Sequence, residues 1–156
     1  MERREAVIVG SGPAGAATAL RLAALAPELA AGMLLLDKAR HPRDKTCAGG
    51  VIPKALRLLE ELSVPFTVPH ARVDSAAVAV PGRRVAVAGS DLCRVVRRRE
   101  FDARLAWAAR ARGVELREGE RVVGLARDGA GIRVETDRRA YWAPVVVGAE
   151  IGRAHV

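Results

Sequence analysis

Three glycines at a fixed spacing, in Gly10-Ser11-Gly12-Pro13-Ala14-Gly15, stand directly behind the apolar run Ala6-Val7-Ile8-Val9. Between a strand and a helix, each glycine has its own task. Gly10 permits the tight turn, Gly12 lets a pyrophosphate approach bare backbone, and Gly15 lets helix and strand pack closely. The amides at the helix start, from Ala14 after the N–H-less Pro13, would face the anion with the helix dipole behind them. Asp37 follows Gly15 by twenty-two positions. A carboxylate there accepts hydrogen bonds from an adenosine ribose and repels a 2′-phosphate. The pair points to an unphosphorylated dinucleotide, FAD or NAD, although Lys38 and Arg40 are cations that could accommodate a phosphate. The spacing alone would equally suit a glycine-rich turn with no ligand, so the flanking elements carry the weight.

Those elements read as a βαβ unit. Ala6–Val9 is short and continuously apolar, as in a strand buried on both faces of a parallel sheet. Residues 14–26 supply Ala, Leu and Arg in helical abundance until Pro27 stops them, and Met33-Leu34-Leu35-Leu36 forms a second buried strand ending on Asp37. A loop rich in Pro, Gly and charge follows, and Pro53 opens a helix through Leu62. Arg72–Val80 and Arg83–Val87 flank Pro81-Gly82, a hairpin signal. Leu92–Arg97 reads as a further strand. Arg99–Arg112 is helical, with Phe101, Leu105 and Ala108 on one face and Gly113 as its stop. Val114–Leu116 returns as a strand. Arg121–Arg127 and Ile132–Thr136 bracket Asp128-Gly129-Ala130-Gly131 as a second hairpin, and Val145-Val146-Val147 is a last buried strand. No repeat or low-complexity linker divides the chain. The expected fold is α/β: a Rossmann-like dinucleotide-binding domain over residues 1–149, a parallel sheet with inserted hairpin and meander strands.

The 156 residues suffice for one domain with a core. Half are hydrophobic, and the formal charge of +8 comes from 26 basic against 18 acidic residues, only Lys38, Lys45 and Lys54 being lysines. The arginines are scattered and aromatics are 3%, whereas nucleic-acid binding wants clustered cations interleaved with stacking rings. No nucleic-acid partner is expected. Cys47 and Cys93 make neither a disulfide framework nor a zinc pattern, so no metal is expected and a reducing cytoplasm is the default. No signal peptide is legible. The apolar run from Leu20 to Leu36 carries Arg21, Pro27 and Glu28 and does not read as a membrane span; peripheral membrane contact stays open.

The segment His41-Pro42-Arg43-Asp44-Lys45-Thr46-Cys47-Ala48-Gly49-Gly50-Val51 resembles the geranylgeranyl reductase family of flavoproteins, part of the wider group that includes the aromatic hydroxylases. The opening Val7-Ile8-Val9-Gly10 turn, Arg98-x-x-Phe101-Asp102-x-x-Leu105 and Val145-Val146-Val147-Gly148-Ala149 extend the resemblance over nearly the whole chain. It implies FAD rather than NAD. It places Arg43 and Lys45 near the flavin, with Cys47, Gly49 and Gly50 close to the isoalloxazine and substrate cavity. Arg98 would contact FAD, and a backbone group near Val122 or Val123 would meet the adenine. Cations can offset diphosphate charge and a reduced flavin, and glycines let a planar ring lie on backbone. The candidate cofactor set is therefore Gly10, Gly12, Pro13, Ala14, Gly15, Asp37, Lys38, Arg43, Lys45, Gly49, Gly50, Arg98 and Val122. Cys47 is the one catalytic candidate; a small buried filler is the alternative for it. Cys93 reads as structural.

The resemblance further implies hydride delivery from reduced flavin to an isoprenoid carbon–carbon double bond. An external donor, NAD(P)H or a ferredoxin, would recharge the flavin. A flavin monooxygenase or halogenase, and a nucleotide-binding module without chemistry, are the other readings. Relatives continue Gly-Ala-Asp-Gly, whereas Gly148-Ala149 is followed here by Glu150-Ile151-Gly152-Arg153-Ala154-His155-Val156. Those seven residues can be spelled by sequencing-adapter DNA, so residues 150–156 are expected to be a non-native tail and the substrate domain to be missing.

Overall fold

The computed structural model describes residues 1–150, and the expected tail beyond Glu150, His155 included, lies outside them. Its elements are β1 (Glu2–Arg3), β2 (Ala6–Val9), α1 (Pro13–Leu25), a 3-10 helix (Pro27–Gly32), β3 (Met33–Asp37), β4 (Gly50–Val51) and α2 (Pro53–Glu61). After them come β5 (His70–Val80), β6 (Arg83–Val96), α3 (Arg98–Ala111), β7 (Glu115–Glu118), β8 (Val122–Asp128), β9 (Gly131–Thr136), β10 (Ala140–Ala143) and β11 (Val145–Gly148). The chain divides into two compact units, residues 1–43 with 102–156, and residues 44–101. No sequence signal marks either boundary; one falls inside the loop after β3 and the other inside α3.

The first unit is the parallel α/β body. Its central sheet runs β11-β2-β3-β7, all parallel, with Ala6, Val7, Ile8 and Val9 opposite Met33, Leu34, Leu35 and Leu36. Continuous apolar runs suit strands covered on both faces, and all five residues of β3 are buried. Helix α1 turns Gly15, Ala16, Ala19, Leu20 and Ala23 inward; this stripe of mostly small side chains permits close approach to the strands. Pro27 ends α1 as expected and starts a 3-10 helix. A second sheet, β1-β10-β9-β8, packs Val134, Tyr141 and Ala143 against Val7, Leu34 and Leu36. β1 and β10 carry no apolar alternation of their own, and pairing partners rather than pattern make them strands.

Two expectations in this unit need correction. The strand after α3 is Glu115–Glu118, not Val114–Leu116: Val114 N–H donates to the Ala109 carbonyl and so closes the helix end, where Gly113 sits at φ +89°. Val145–Val147 is indeed a strand, yet not a buried one. It lies at the sheet edge beside β2, and Val145 is 52% exposed.

The second unit is a three-stranded antiparallel sheet, β4-β6-β5, with α2. Pro53 takes the first helical position of α2, where its missing N–H costs nothing. The Pro81-Gly82 turn closes the β5–β6 hairpin as expected, Gly82 at φ +75°. Leu92–Arg97, however, is not a separate strand. It continues β6, because an irregularity between Val73 and Ser75 absorbs the polar Gly89–Asp91 stretch that reads as a break. Asp91 sits there at φ 57°, its N–H donating to Asp74 at 2.8 Å. Among the described residues, no helix is long and apolar enough to cross a membrane, and no cluster of His, Cys, Asp and Glu could hold a metal ion.

Candidate dinucleotide site

The glycine turn is built as its spacing predicts. Gly10 has φ +100°, a conformation that side chains disfavour. A Cβ on Gly15 would stand 1.8 Å from the Gly10 carbonyl oxygen, so helix and strand touch through bare backbone. Gly12 differs: a Cβ there would meet only the Arg43 Nη2 at 3.5 Å, so the space over its backbone is open. Gly12 is also the N-cap of α1, with no side chain capping the helix and Pro13 at its first position. The early amides from Ala14 onward are thus left for an outside acceptor. An open, glycine-floored helix N-terminus with a cation beside it fits a diphosphate.

Asp37 ends β3, where Gly10 N–H donates to the neighbouring Leu36 carbonyl. Its carboxylate is buried and accepts three short bonds, from Ser11 Oγ at 2.6 Å, Ser11 N at 2.9 Å and Ala39 N at 2.9 Å. Burial pushes this carboxyl up; the bonds from Ser11 and Ala39, with the Arg43 charge, outweigh that and hold it below the ordinary carboxylate range. Asp37 therefore fixes the glycine turn itself, a task the sequence does not reveal. Oδ1 takes only the Ala39 bond among these, which leaves it capacity for a ribose hydroxyl.

Three further residues escaped the sequence reading. Ser11 is fully buried and its Oγ lies 2.7 Å from His41 Nε2. Because the hydroxyl proton is spent on Asp37, Nε2–H must donate to Ser11. The His41 Nδ1 is then a buried acceptor without a hydrogen bond among the described residues. Burial, then the Arg43 charge, pulls His41 below its usual value against the opposing pull of Asp37, Glu118 and Asp102. Asp102, fully buried on α3, stands 3.5 Å from Arg43 Nη1, while Arg43 Nη2 is 3.7 Å from Asp37. The loop after β3 is held further by His41 N–H donating to Glu118 at 2.6 Å. The signal for all three was proximity across sequence gaps, which no local pattern carries.

Past the C-terminal end of β3, Glu120 N–H donates to the Asp37 carbonyl and Gly119 N–H to that of Ala39, setting the β7–β8 turn beside β3. Val122 packs its side chain on the core, and an irregularity between Val122 and Gly124 takes Val123 out of register with β9. β8 is an edge strand of its sheet among the described residues, so backbone near Val122 and Val123 has an open side. Lys38 is half exposed, 3.8 Å from the Glu150 carboxylate. A partly buried network braces this end. Tyr141 O–H donates to Glu120 at 2.6 Å and accepts from Arg117 Nη1 at 2.7 Å, while Arg117 forks onto Glu2 with both bonds at 3.0 Å. Burial, with the bond to Glu120, pushes the Tyr141 phenol up to about 12.

The remaining candidates lie in the second unit. Lys45, Cys47 and Arg98 line one polar groove of about 710 Å³ with Asp44, Arg97 and Arg99. Cys47 is exposed, and its Sγ lies 3.4 Å from the Gly49 N–H; the buried-filler alternative is set aside. Gly49 has φ +74° and its Cβ would stand 2.1 Å from the Val96 carbonyl oxygen, so β6 already requires a glycine there. Gly50 pairs with Val95 in β4. Cys93 lies in β6 opposite Val73, partly buried, in keeping with a structural residue.

Residues 3–142 match the FAD binding domain family. The menaquinone reductase of Mycobacterium tuberculosis is 29% identical over 158 residues, 95% of this chain and 35% of that protein. A geranylgeranyl bacteriochlorophyll reductase-like protein from Thermoplasma acidophilum superposes with a TM-score of 0.77 at 22% identity, covering 96% of this chain and 40% of that one. A variant of the halogenase PltM in complex with FAD superposes at 0.71 with 23% identity, over 94% and 34% of the two chains. The chain spans about a third of the length of the curated relatives it matches. At these identities the two structural likenesses establish the fold.

Proposed function

This chain belongs to the FAD binding domain family and its cofactor is FAD; on that premise we propose that it carries the dinucleotide half of an oxidoreductase of the geranylgeranyl reductase type. Its substrate class would be an isoprenoid lipid and its reductant an external donor, NAD(P)H or a ferredoxin. The flavin, when bound and reduced, would supply the hydride for a carbon–carbon double bond, a proton being added at the neighbouring carbon.

The chain's own residues bind and orient. The observation that carries the reading is the open N-terminus of α1 over Gly12, with Arg43 Nη2 3.5 Å from the space a Cβ would fill. The Ala14 and Gly15 amides of α1, ahead of the first helical bond from Ala16 N–H to Gly12, would with Arg43 hold the diphosphate, and Asp37 Oδ1 with backbone near Val122 the adenosine. Lys38 is a cation at that same end. In the second unit, Lys45 and Arg98 are the cations, and Cys47 the thiol, of the groove proposed to face the flavin, with Gly49 and Gly50 beside them. Support for prenyl reduction comes from the resemblance carried by the Pro42–Gly50 segment, and support for a reductase over other flavin chemistry from the similarity to the mycobacterial menaquinone reductases.

Two measurements test this. Purified protein should carry a yellow chromophore that denaturation releases as FAD; a colourless protein that retains NAD overturns the assignment of the site. In a chain extended to the length of its curated relatives, anaerobic reduction of a prenyl chain by the pre-reduced enzyme is expected. Oxygen-dependent hydroxylation or halogenation instead would mark it a monooxygenase or halogenase, and binding without turnover a nucleotide-binding module.

A further inference from the structure

We propose that Asp102 is a positioning residue that aims the Arg43 guanidinium at the mouth of the glycine turn, and so sets how tightly the diphosphate is held. The proposal rests on FAD occupying that turn.

Asp102 sits one turn inside α3, beyond the positions where a carboxylate caps a helix; the first amides of α3, at Glu100 and Phe101, bond instead to the Arg97 carbonyl. Aspartate is a poor residue for a helix interior, and a fully buried carboxylate is costly unless a cation or donors meet it. Tertiary structure brings such a cation to it. Its Oδ2 is 3.5 Å from Arg43 Nη1, in a residue that the chain reaches only after the whole second unit.

The other carboxylate near Arg43 is a weaker guide. Asp37 spends itself on three bonds of 2.9 Å or less to Ser11 and Ala39, and Arg43 Nη2 is 3.7 Å away. The same Nη2 is the atom nearest to the open space over Gly12. Asp102 thus holds one edge of the planar guanidinium and presents the other toward the diphosphate cradle. Both ion pairs are longer than the roughly 2.7–2.9 Å of a direct charged hydrogen bond. They orient the guanidinium by charge without locking it, so it can close on an arriving anion. With Asp102 neutralised, that cation is free to swing out of the cradle, and the loss falls on the phosphates alone.

The test is a double-mutant cycle on the full chain, stripped of FAD, with FAD, ADP and adenosine as probes. Asp102→Asn is expected to weaken FAD and ADP alike by about tenfold, the scale of one charged hydrogen bond, and to leave adenosine unchanged. In an Arg43→Met background the same substitution should cost less than about twofold, since its effect travels through Arg43. Asp102→Glu, which keeps the charge, should recover most of the affinity. Additive losses, or equal weakening of adenosine, would mean that Asp102 merely supports the fold and overturn the proposal. If Asp102→Asn does not fold, Arg43→Met decides alone: unchanged FAD and ADP affinity overturns it. A parent protein that binds neither FAD nor ADP overturns the glycine-turn assignment as well, whereas FAD binding that Asp102→Asn leaves intact overturns only this proposal.

Discussion

Glycines that look interchangeable in the sequence differ in what they forbid. Gly15→Ala would drive a methyl into the Gly10 carbonyl, 1.8 Å away, and is expected to destabilise by about 3 kcal/mol, the cost of a badly overpacked site. Gly12→Ala meets only the mobile end of Arg43. It should leave the thermal midpoint within a few degrees while weakening FAD by at least about tenfold, through lost close approach of the diphosphate. Thermal melts paired with flavin titrations separate the two, and equal effects in both assays would refute the division of labour. His41 gives a pH signature. Burial and Arg43 hold it below its usual value, so the unfolded chain takes up a proton that the folded one resists. Stability should therefore fall as pH drops below about 6.5. Asp37 works with the same sign but lower down: its depressed pKa stabilises at neutral pH, and that contribution is lost only as pH falls below the ordinary carboxylate range. His41→Gln retains a donor toward Ser11 and should flatten the decline that begins below about pH 6.5; an unchanged profile would place the sensitivity elsewhere.

Elements are held together by contacts that lie far apart in sequence. Tyr141 on β10 joins Arg117 on β7 to Glu120 in the turn that follows it. Tyr141→Phe leaves the buried Glu120 carboxylate to the 2.8 Å bond from Thr136 and to Arg139 at 3.7 Å. The expected cost is about 1–3 kcal/mol, for a buried charged group losing a donor. Urea denaturation should show it as a lower midpoint at unchanged slope. The β7–β8 turn also touches Asp37 and Ala39 through backbone bonds, so the same substitution should loosen adenosine more than pyrophosphate. Strands β2 and β3 were legible from composition because both faces are covered. β1, β10 and the true start of β7 were not, because edge and second-layer strands take their place from the partner they pair with.

Stability is unevenly spread over the molecule. Among the described residues, every hydrophobic side chain with no exposure at all belongs to the unit formed by residues 1–43 and 102–156. The β5–β6 hairpin instead exposes Val78, Val80, Val85 and Val87. Amide exchange should therefore be slowest in β2 and β3 and fastest near Pro81-Gly82. Adding FAD at a hundredfold over its dissociation constant should stabilise the chain by about 2.7 kcal/mol. New protection is expected at residues 10–16 and around Asp37; protection confined to the second unit would place the ligand elsewhere.

The sequence by itself determined the βαβ unit, the glycine turn and the carboxylate that ends β3. Each is a local matter: strand periodicity, backbone freedom at glycine and the distance along one helix. The FAD family was also legible, from the Pro42–Gly50 segment. Tertiary structure decided what surrounds the turn. Asp37 proved to be the anchor of Ser11, and Arg43 proved to stand between Asp37 and Asp102, residues separated by some sixty positions. Ion pairs and hydrogen bonds of that kind depend on where strands and helices come to rest, and no spacing along the chain encodes them.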